Sequence, residues 1–323
     1  MIFEQIDTLG RNRTPFFFMI DFECKQAIVL PLTELAAQGI SLDIKGKKYG
    51  LNIEPTSTKK QNVVIHPIDA NTYFQAFGTV QDGIQAGNSY LLNLTFPTEV
   101  HTLYTLEDIF TAAKAAYKVY YKDRFVFFSP EAFIRIYDNK IYSYPMKGTI
   151  DASLPDALKK LMDSQKELYE HYTIVDLIRN DLALVSSNVI VENFRYAEKI
   201  STASGREIYQ TSSIIRGELE ETWKDHIGTM LKKLLPAGSI SGAPKAKTVE
   251  IIQAAELDER GFYSGITGVF DGDSIESCVN IRFIEYLGHG TYRYRSGGGI
   301  TCNSSCLDEY NELITKVYVP SLF

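Results

Sequence analysis

The sequence predicts an α+β protein built on antiparallel-rich sheets. Strand-like and helix-like stretches come in groups instead of alternating one by one, which argues against a doubly wound parallel sheet. Three short strand patterns follow one another at Phe125–Phe128, Ala132–Tyr137 and Lys140–Tyr144, with a turn at Asp138-Asn139 between the last two. No composition shift marks a linker and no internal repeat appears, so the chain reads as one continuous domain over 1–323.

Taken in order, Phe16–Ile20 is an unbroken apolar run and reads as a buried strand, and Lys45–Lys60 reads as a polar loop region. Ala70–Ala86 has helical character and stops at Gly87. Ser89–Phe96 is strand-like, and Leu106–Tyr120 has helical periodicity. Pro155–Leu184 is the longest helical stretch, with proline near its start as in a first helical turn. Glu218–Leu235 reads as a helix closed by Pro236, and Ala243–Leu257 as another. The remaining strand patterns are Tyr263–Phe270, Ser277–Tyr286 and Thr291–Ser296, before a last helix over about Leu307–Val317.

Composition narrows the functional classes. The 323 residues are 45% hydrophobic and 23% charged, enough for a large core without disulfide or metal staples. The net charge of −7 argues against general nucleic-acid binding, which needs a basic face. Cys24, Cys278, Cys302 and Cys306 form no CxxC pair and none has zinc-ligand spacing to a histidine, so they read as free thiols in a reducing compartment. The first residues lack the basic start and long apolar core of a signal peptide, and no apolar run approaches the ~20 residues of a membrane span. A soluble cytoplasmic protein is expected.

Two acidic pairs stand out. Glu167 and Glu170 are three apart in KELYEHYTIVDLIRNDL, as are Glu309 and Glu312 in LDEYNELITK. Residues at i and i+3 share a helix face, so each pair can aim two carboxylates at one point. Four carboxylates from two helices suit a hard divalent cation such as magnesium, which keeps waters and takes few carboxylates directly. A solvated helix face has the same pattern. Lys316 lies on the face of Glu309 and Glu312, either to hold an anionic ligand group or as a plain i,i+4 partner of Glu312.

Two glycine-bearing turns and one lysine complete the candidates. In SGAPK, Ser241 can cap a helix, Gly242 relaxes the turn and Pro244 fits the first helical turn, a start whose amides attract anions. Gly297, Gly298 and Gly299 either let a ligand approach the backbone or make a tight strand-to-loop turn. Lys147 sits in YPMKGT beside Gly148 and Thr149. It is either a surface turn lysine or a nucleophile activated in a partly buried pocket. Glu131 opens the strand AFIRI with an apolar flank, where a carboxyl can be tuned as a general acid. The adjacent strands would bring Glu131 and Lys147 near each other.

These segments together resemble the chorismate-utilising enzymes: anthranilate, aminodeoxychorismate, isochorismate and salicylate synthases. The matching stretches are GNSYLLNLT, SPEAF, YPMKGT, EHYTIVDLIRNDL, PAGSISGAPKAKTVEIIQAAE, RGFYSGITG, VNIRF and GGGIT leading to DEYNELITK, in the family's order from about residue 70 to the end. The resemblance implies the family's fold, antiparallel sheets packed as a sandwich with flanking helices, after a shortened N-terminal part over about 1–69. It implies that Glu170 and Glu312 are direct magnesium ligands, with Glu167 and Glu309 completing the metal and substrate shell. Arg282 and Lys316 would bind substrate carboxylates, helped by Tyr263, Thr149, the amides of Gly297 to Gly299, and Ser241 and Gly242 of the SGAPK loop.

The turn holding Lys147 points to a branch. It resembles the Pro-Ile-Lys-Gly-Thr of many aminodeoxychorismate synthases, where the other branches have Pro-x-Ala-Gly-Thr; Met146 replaces the isoleucine. Gln210 stands where anthranilate synthases have a histidine linked to pyruvate elimination. The implied activity is component I of aminodeoxychorismate synthase, with Lys147 as nucleophile and Glu131 as acid, in para-aminobenzoate and folate biosynthesis. The alternatives are anthranilate synthase component I, an isochorismate or salicylate synthase, and a non-catalytic chorismate-binding subunit. Ala183 and Leu184 replace the usual Gly-Arg, and Asn303 to Cys306 the usual Asp-Ser-Asp-Pro, without touching an implied ligand. No cysteine sits in a glutaminase Gly-x-Cys-x-Gly turn, so a separate glutamine amidotransferase subunit is the implied ammonia donor. No tryptophan-binding signature is seen, so feedback by tryptophan is not expected.

Overall fold

A computed structural model describes residues 2–54, 61–201, 207–242, 244–319 and 322. The chain begins with α1 (Ile2–Arg11), β1 (Phe16–Ile20), β2 (Ala27–Pro31), β3 (Ile40–Ile44), β4 (Lys47–Gly50) and β5 (Val63–His66). Next come α2 (Ala70–Gln85), β6 (Leu92–Thr102), α3 (Leu106–Ala112), β7 (Tyr117–Tyr121), β8 (Phe125–Ser129), β9 (Ala132–Tyr137), β10 (Lys140–Ser143) and β11 (Met146–Asp151). The middle holds α4 (Ala157–Asp163), α5 (Gln165–Ala183), the hairpin β12 (Ser187–Ser201) and β13 (Glu207–Glu218), then α6 (Ile227–Leu234), α7 (Gly238–Ser241) and α8 (Lys245–Ala255). It closes with β14 (Ile266–Phe270), β15 (Ile275–Val279), β16 (Phe283–Gly288), β17 (Thr291–Ile300) and α9 (Cys306–Thr315).

The expected α+β class with antiparallel sheets is what the strands build. One sheet runs β11-β13-β10-β9-β15-β14-β1-β2, with β12 added on β13, and the other runs β4-β3-β7-β8-β16-β17-β6-β5. Side chains alternate across a strand, so β1 shows how the layers meet. Phe17 and Met19 join Leu42, Val119, Phe127 and Phe283 of the second sheet in one core between the sheets. Phe16, Phe18 and Ile20 turn the other way and pack with the helical residues Ile174, Ile178, Leu231 and Ile252. A strand covered on both faces needs apolar residues at every position, which explains FFFMI. Among the described residues no helix is long and apolar enough to cross a membrane.

Several boundaries differ from the sequence reading, each for a local reason. Leu106–Tyr120 is not one helix: α3 ends at Ala112, and Tyr117–Tyr121 pairs with both β3 and β8. Pro155–Leu184 breaks at Ser164, which ends α4 and caps α5 by accepting from Glu167 N at 3.4 Å; Pro155 lies outside both helices. Glu218–Leu235 divides into the end of β13, a 3-10 turn over Glu221–His226, and α6. Part of the polar region Lys45–Lys60 is the edge strand β4, and residues 55–60 lie outside the described residues. Ser277–Tyr286 is two strands in different sheets, and Arg282 turns the chain between them at φ 54°. Gly297 to Gly299 are no turn; they continue β17 opposite Thr95, Leu94 and Asn93. A Cβ on Gly297 would stand 2.3 Å from Leu94 O, so glycine is required by closeness of the neighbouring strand. The helix α1 and the long hairpin β12–β13 had no counterpart in the sequence reading.

Candidate active site

A cavity of about 510 Å³ is lined by residues of both sheets, from β11 and β13 of one and β6 and β17 of the other. Its wall begins with the hairpin β9–β10, which pairs Arg135 with Tyr142 and so brings the residue before β9 close to the residues after β10. Glu131 and Lys147 both line the cavity, as their strands suggested. Lys147 owes its direction to a β-bulge. Between Met146 and Thr149 on β11 lies one residue more than between their partners Ser212 and Gln210 on β13. A bulge re-aims a side chain, and here it occupies Lys147-Gly148, with Gly148 at φ 88° and Thr211 Oγ1 donating to the Lys147 carbonyl.

Glu131 is held by Ser239, whose Oγ donates to Oε1 at 2.7 Å. Burial pushes the Glu131 carboxyl above the usual carboxylate range, against the opposing pull of Ser239 and the Lys147 charge. Ser239 is itself placed by α7. The Lys245–Asp181 ion pair at 2.8 Å and the Lys245 bond to Leu234 O tie the start of α8 to the ends of α5 and α6 around it.

The acidic pairs arrive from α5 and α9. Arg195 fixes the start of α5: its guanidinium donates to Leu161 O and Met162 O, the last carbonyls of α4, at 2.8 Å each. Glu170 Oε2 then lies 3.5 Å from Lys147 Nζ, and Glu167 Oε2 would stand 2.9 Å from a Cβ on Gly148. On the other side Ser296 Oγ and Lys316 Nζ fasten α9 to β17 through Leu313 O and Gly297 O. Lys316 Nζ also pairs with Glu312 at 2.6 Å. Glu309 and Glu312 converge on Gly298, where a Cβ would meet their oxygens at 2.9 and 3.6 Å. Burial and the neighbouring Glu312 push the Glu309 carboxyl up. Among the described residues no three acidic, histidine or cysteine side chains close a metal cage by themselves. The donor chemistry nonetheless fits magnesium. Two glycines leave room for carboxylates that a side chain would displace, and such an ion fills its shell with water and ligand oxygens.

Cations face this acidic side. Arg282, at its strained φ of 54°, lines the cavity with its guanidinium 5.3 Å over the Tyr318 ring. Tyr263 lines it too, with its hydroxyl pushed up to about 12 by burial, so it is a donor and not an anion. Arg295, 5% exposed and 3.3 Å from Glu285, is a further lining cation.

Of the residues singled out in the sequence, Glu131, Lys147, Thr149, Tyr263, Arg282, Gly297, Gly299, Glu312 and Lys316 line this one cavity. Glu167, Glu170, Glu309 and Gly298 stand behind that lining, against Gly148, Lys147 and one another. Ser241 and Gly242 do not line it. Ser241 is the buried last residue of α7, its Oγ spent on Ala237 O, and Gly242 at φ 93° backs onto Leu91 O, 1.8 Å from where a Cβ would be. They hold the loop, and the groups facing the cavity are Ser239 and Ile240 just upstream. Ala243 of the same motif lies outside the described residues. Asn93, Ser239, Arg295 and Tyr318 were missed; Asn93 and Ser239 lay inside stretches already singled out, and the other two carried no local signal.

Arg282, Arg295, Lys147 and Lys316 line one cavity with the carboxyls of Glu131 and Glu312, an enzyme-like arrangement of cations and acids around a space of small-molecule size. Residues 35–321 match the family described as chorismate binding enzyme. The chain is 55% identical to an uncharacterized PabA-like protein of Pasteurella multocida, over 98% of this chain and 97% of that one, and 52% identical to an uncharacterized PabA-like protein of Haemophilus influenzae, over 98% and 95%. It is 29% identical, over 93% of its length and 44% of the relative's, to a Schizosaccharomyces pombe protein provisionally named aminodeoxychorismate synthase. The fold is that of MenF, the menaquinone-specific isochorismate synthase of Escherichia coli (TM-score 0.74, 17% identity, covering 98% of this chain and 79% of that one). It is also similar to anthranilate synthase component I of Streptococcus pneumoniae (TM-score 0.67, 25% identity, 82% and 60%). The chain belongs to the chorismate binding enzymes.

Proposed function

We propose that this chorismate-utilising enzyme replaces the C4 hydroxyl of chorismate with ammonia, giving 4-amino-4-deoxychorismate for para-aminobenzoate and folate synthesis in the cytoplasm. The observation that carries the reading is Lys147, placed by the β11 bulge in the cavity that also holds Glu131, a carboxyl whose burial favours the protonated form.

In this reading the Lys147 Nζ lone pair forms a bond to C2, both ring double bonds shift (C1=C2 to C1=C6 and C5=C6 to C4=C5), and the C4–O bond breaks as Glu131 gives its proton to the departing hydroxyl, which leaves as water. The proton lost from Nζ returns to Glu131. Ammonia then forms the C4–N bond, both double bonds shift back to C5=C6 and C1=C2, the C2–Nζ bond breaks with its electron pair returning to Lys147, and one proton of the new ammonium restores the amine. One hard displacement becomes two easier ones. Arg282, Lys316 and Tyr263 would take the substrate carboxylates. Glu170 and Glu312, with Glu167 and Glu309 behind them, would hold magnesium, which supplies a grip on one carboxylate. A glutamine amidotransferase subunit would supply the ammonia, in keeping with the PabA-like names of the two relatives. Gln210 lines the cavity, and no histidine does among the described residues, which disfavours the anthranilate branch.

The test is a mass measurement on the intact protein, incubated with chorismate and magnesium but no ammonium. The expected product is a covalent adduct of chorismate less water on the wild type and none on Lys147→Ala. An adduct that persists on the alanine variant would sink the role of Lys147.

A further inference from the structure

We infer that Asn93 receives the incoming ammonia, its Oδ1 serving as the neutral acceptor that orients the nucleophile; this rests on the amination reading above. The amide cannot turn over. Both Nδ2 hydrogens are spent on backbone carbonyls, Ser239 O at 3.1 Å and Ile240 O at 3.0 Å, and a flipped amide would set its oxygen against both. The backbone is equally fixed, because Asn93 pairs with Gly299 of β17 and its carbonyl takes a 2.7 Å bond from Arg260, a guanidinium 1% exposed.

Oδ1 therefore points away from α7, into the cavity that Asn93 lines, and no protein donor reaches it among the described residues. It lies 3.6 Å from the point a Cβ on Gly299 would occupy, and Lys147 Nζ lies 3.5 Å from the same point. The acceptor and the proposed covalent nucleophile thus share one small space, which glycine keeps open.

The chemistry of that oxygen selects ammonia. A carboxylate here would favour ammonium, whose lone pair is already spent, whereas an amide oxygen accepts an N–H and leaves the lone pair free. As the C4–N bond forms the nitrogen becomes positive and its N–H a stronger donor, so the bond tightens toward the transition state. Water gains less. It must surrender a proton to attack, an amide oxygen is no base, and Lys147 is occupied in the adduct at that moment. The proton given up by the new C4 ammonium goes to Nζ as the C2–Nζ bond breaks.

The experiment compares the full-length wild type with Asn93→Ala in chorismate, magnesium and ammonium chloride. It measures kcat/KM for ammonium, the chorismate KM, the product, and separately the rate of adduct formation without ammonium. The expected result is a kcat/KM for ammonium lowered about tenfold to a hundredfold, the worth of one bond to a developing charge. The chorismate KM and the ammonia-free adduct rate should stay within about threefold, so that adduct accumulates in the presence of ammonium. An unchanged kcat/KM for ammonium overturns the inference. So does a parallel fall in chorismate affinity and adduct rate, which would mark Asn93 as a brace for Ser239 and Glu131. If alanine does not fold, Asn93→Ser, whose hydroxyl keeps a donor for one carbonyl but whose oxygen sits a bond short of the Oδ1 position, carries the same expectations. A wild type that makes no aminodeoxychorismate from ammonium removes the amination reading before any variant is compared, and this inference with it.

Discussion

Replacing Glu131 with glutamine separates the cost of an acid from its use. The carboxyl is pushed above its ordinary range by burial, so the folded protein binds its proton more tightly than the unfolded chain does. Such a group costs stability as pH rises from the unfolded value through the folded one, and the full cost remains above that. Glutamine removes the titration while Ser239 Oγ can still donate to its oxygen, so the Tm of Glu131→Gln at neutral pH is expected to equal or exceed that of the wild type. Activity should move the other way. Among the lining groups Tyr263 is held neutral with its proton bound up to about 12, and Glu312 is committed to Lys316 at 2.6 Å, so no other acid is placed to serve the departing hydroxyl. The loss should then be the full general-acid contribution, about 10²–10⁴ in kcat, or roughly 3–5 kcal/mol of barrier. In the wild type kcat/KM should fall as pH rises through the Glu131 value, and that limb should vanish in the variant. Chorismate consumption followed by absorbance across pH, beside thermal melts of both proteins, decides it. A variant within tenfold of wild-type activity, or one that loses activity only because it melts early, refutes the reasoning.

Other perturbations follow from the same geometry. Arg260→Met leaves Glu256, 4% exposed, without the partner at 2.6 Å, and breaking such a pair costs about 3–5 kcal/mol. A thermal melt should show a drop of several degrees, partly restored by adding Glu256→Gln, and an unchanged Tm would mean that the pair is not what holds α8 to Asn93 and Thr95. Gly298→Ala sets a methyl 2.9 Å from Glu309 Oε2 and is expected to raise the magnesium needed for half-maximal activity about tenfold. An unaltered magnesium titration would place the metal elsewhere.

What the sequence showed and hid follows from where each signal resides. β1 was legible because burial on both faces leaves no polar position in FFFMI. The approach of Glu131 and Lys147 was legible because the short hairpin β9–β10 joins them locally. The acidic pairs were legible because i,i+3 spacing states a shared face, and Gly298 meets both carboxylates of one pair. The start of β7 was hidden because Lys114 to Ala116 continue a helical pattern until pairing with β3 and β8 overrides it. The hairpin β12–β13 carries charged residues such as Glu192, Lys199 and Glu207 along exposed faces, so its alternation does not read as a half-buried strand. Ser241 was assigned to the site on its motif, but a helix of one turn puts Ser239 on the cavity side instead. Asn93 could not be weighed from sequence, because its partners at Ser239, Ile240 and Arg260 lie far along the chain.

The central claim is the amination of chorismate, and the identity of the product tests it most directly. Purified protein incubated with chorismate, magnesium and ammonium chloride, with the product identified by mass spectrometry, should yield 4-amino-4-deoxychorismate and no anthranilate. Anthranilate, isochorismate or salicylate as the product would keep the family and contradict the account given for Lys147.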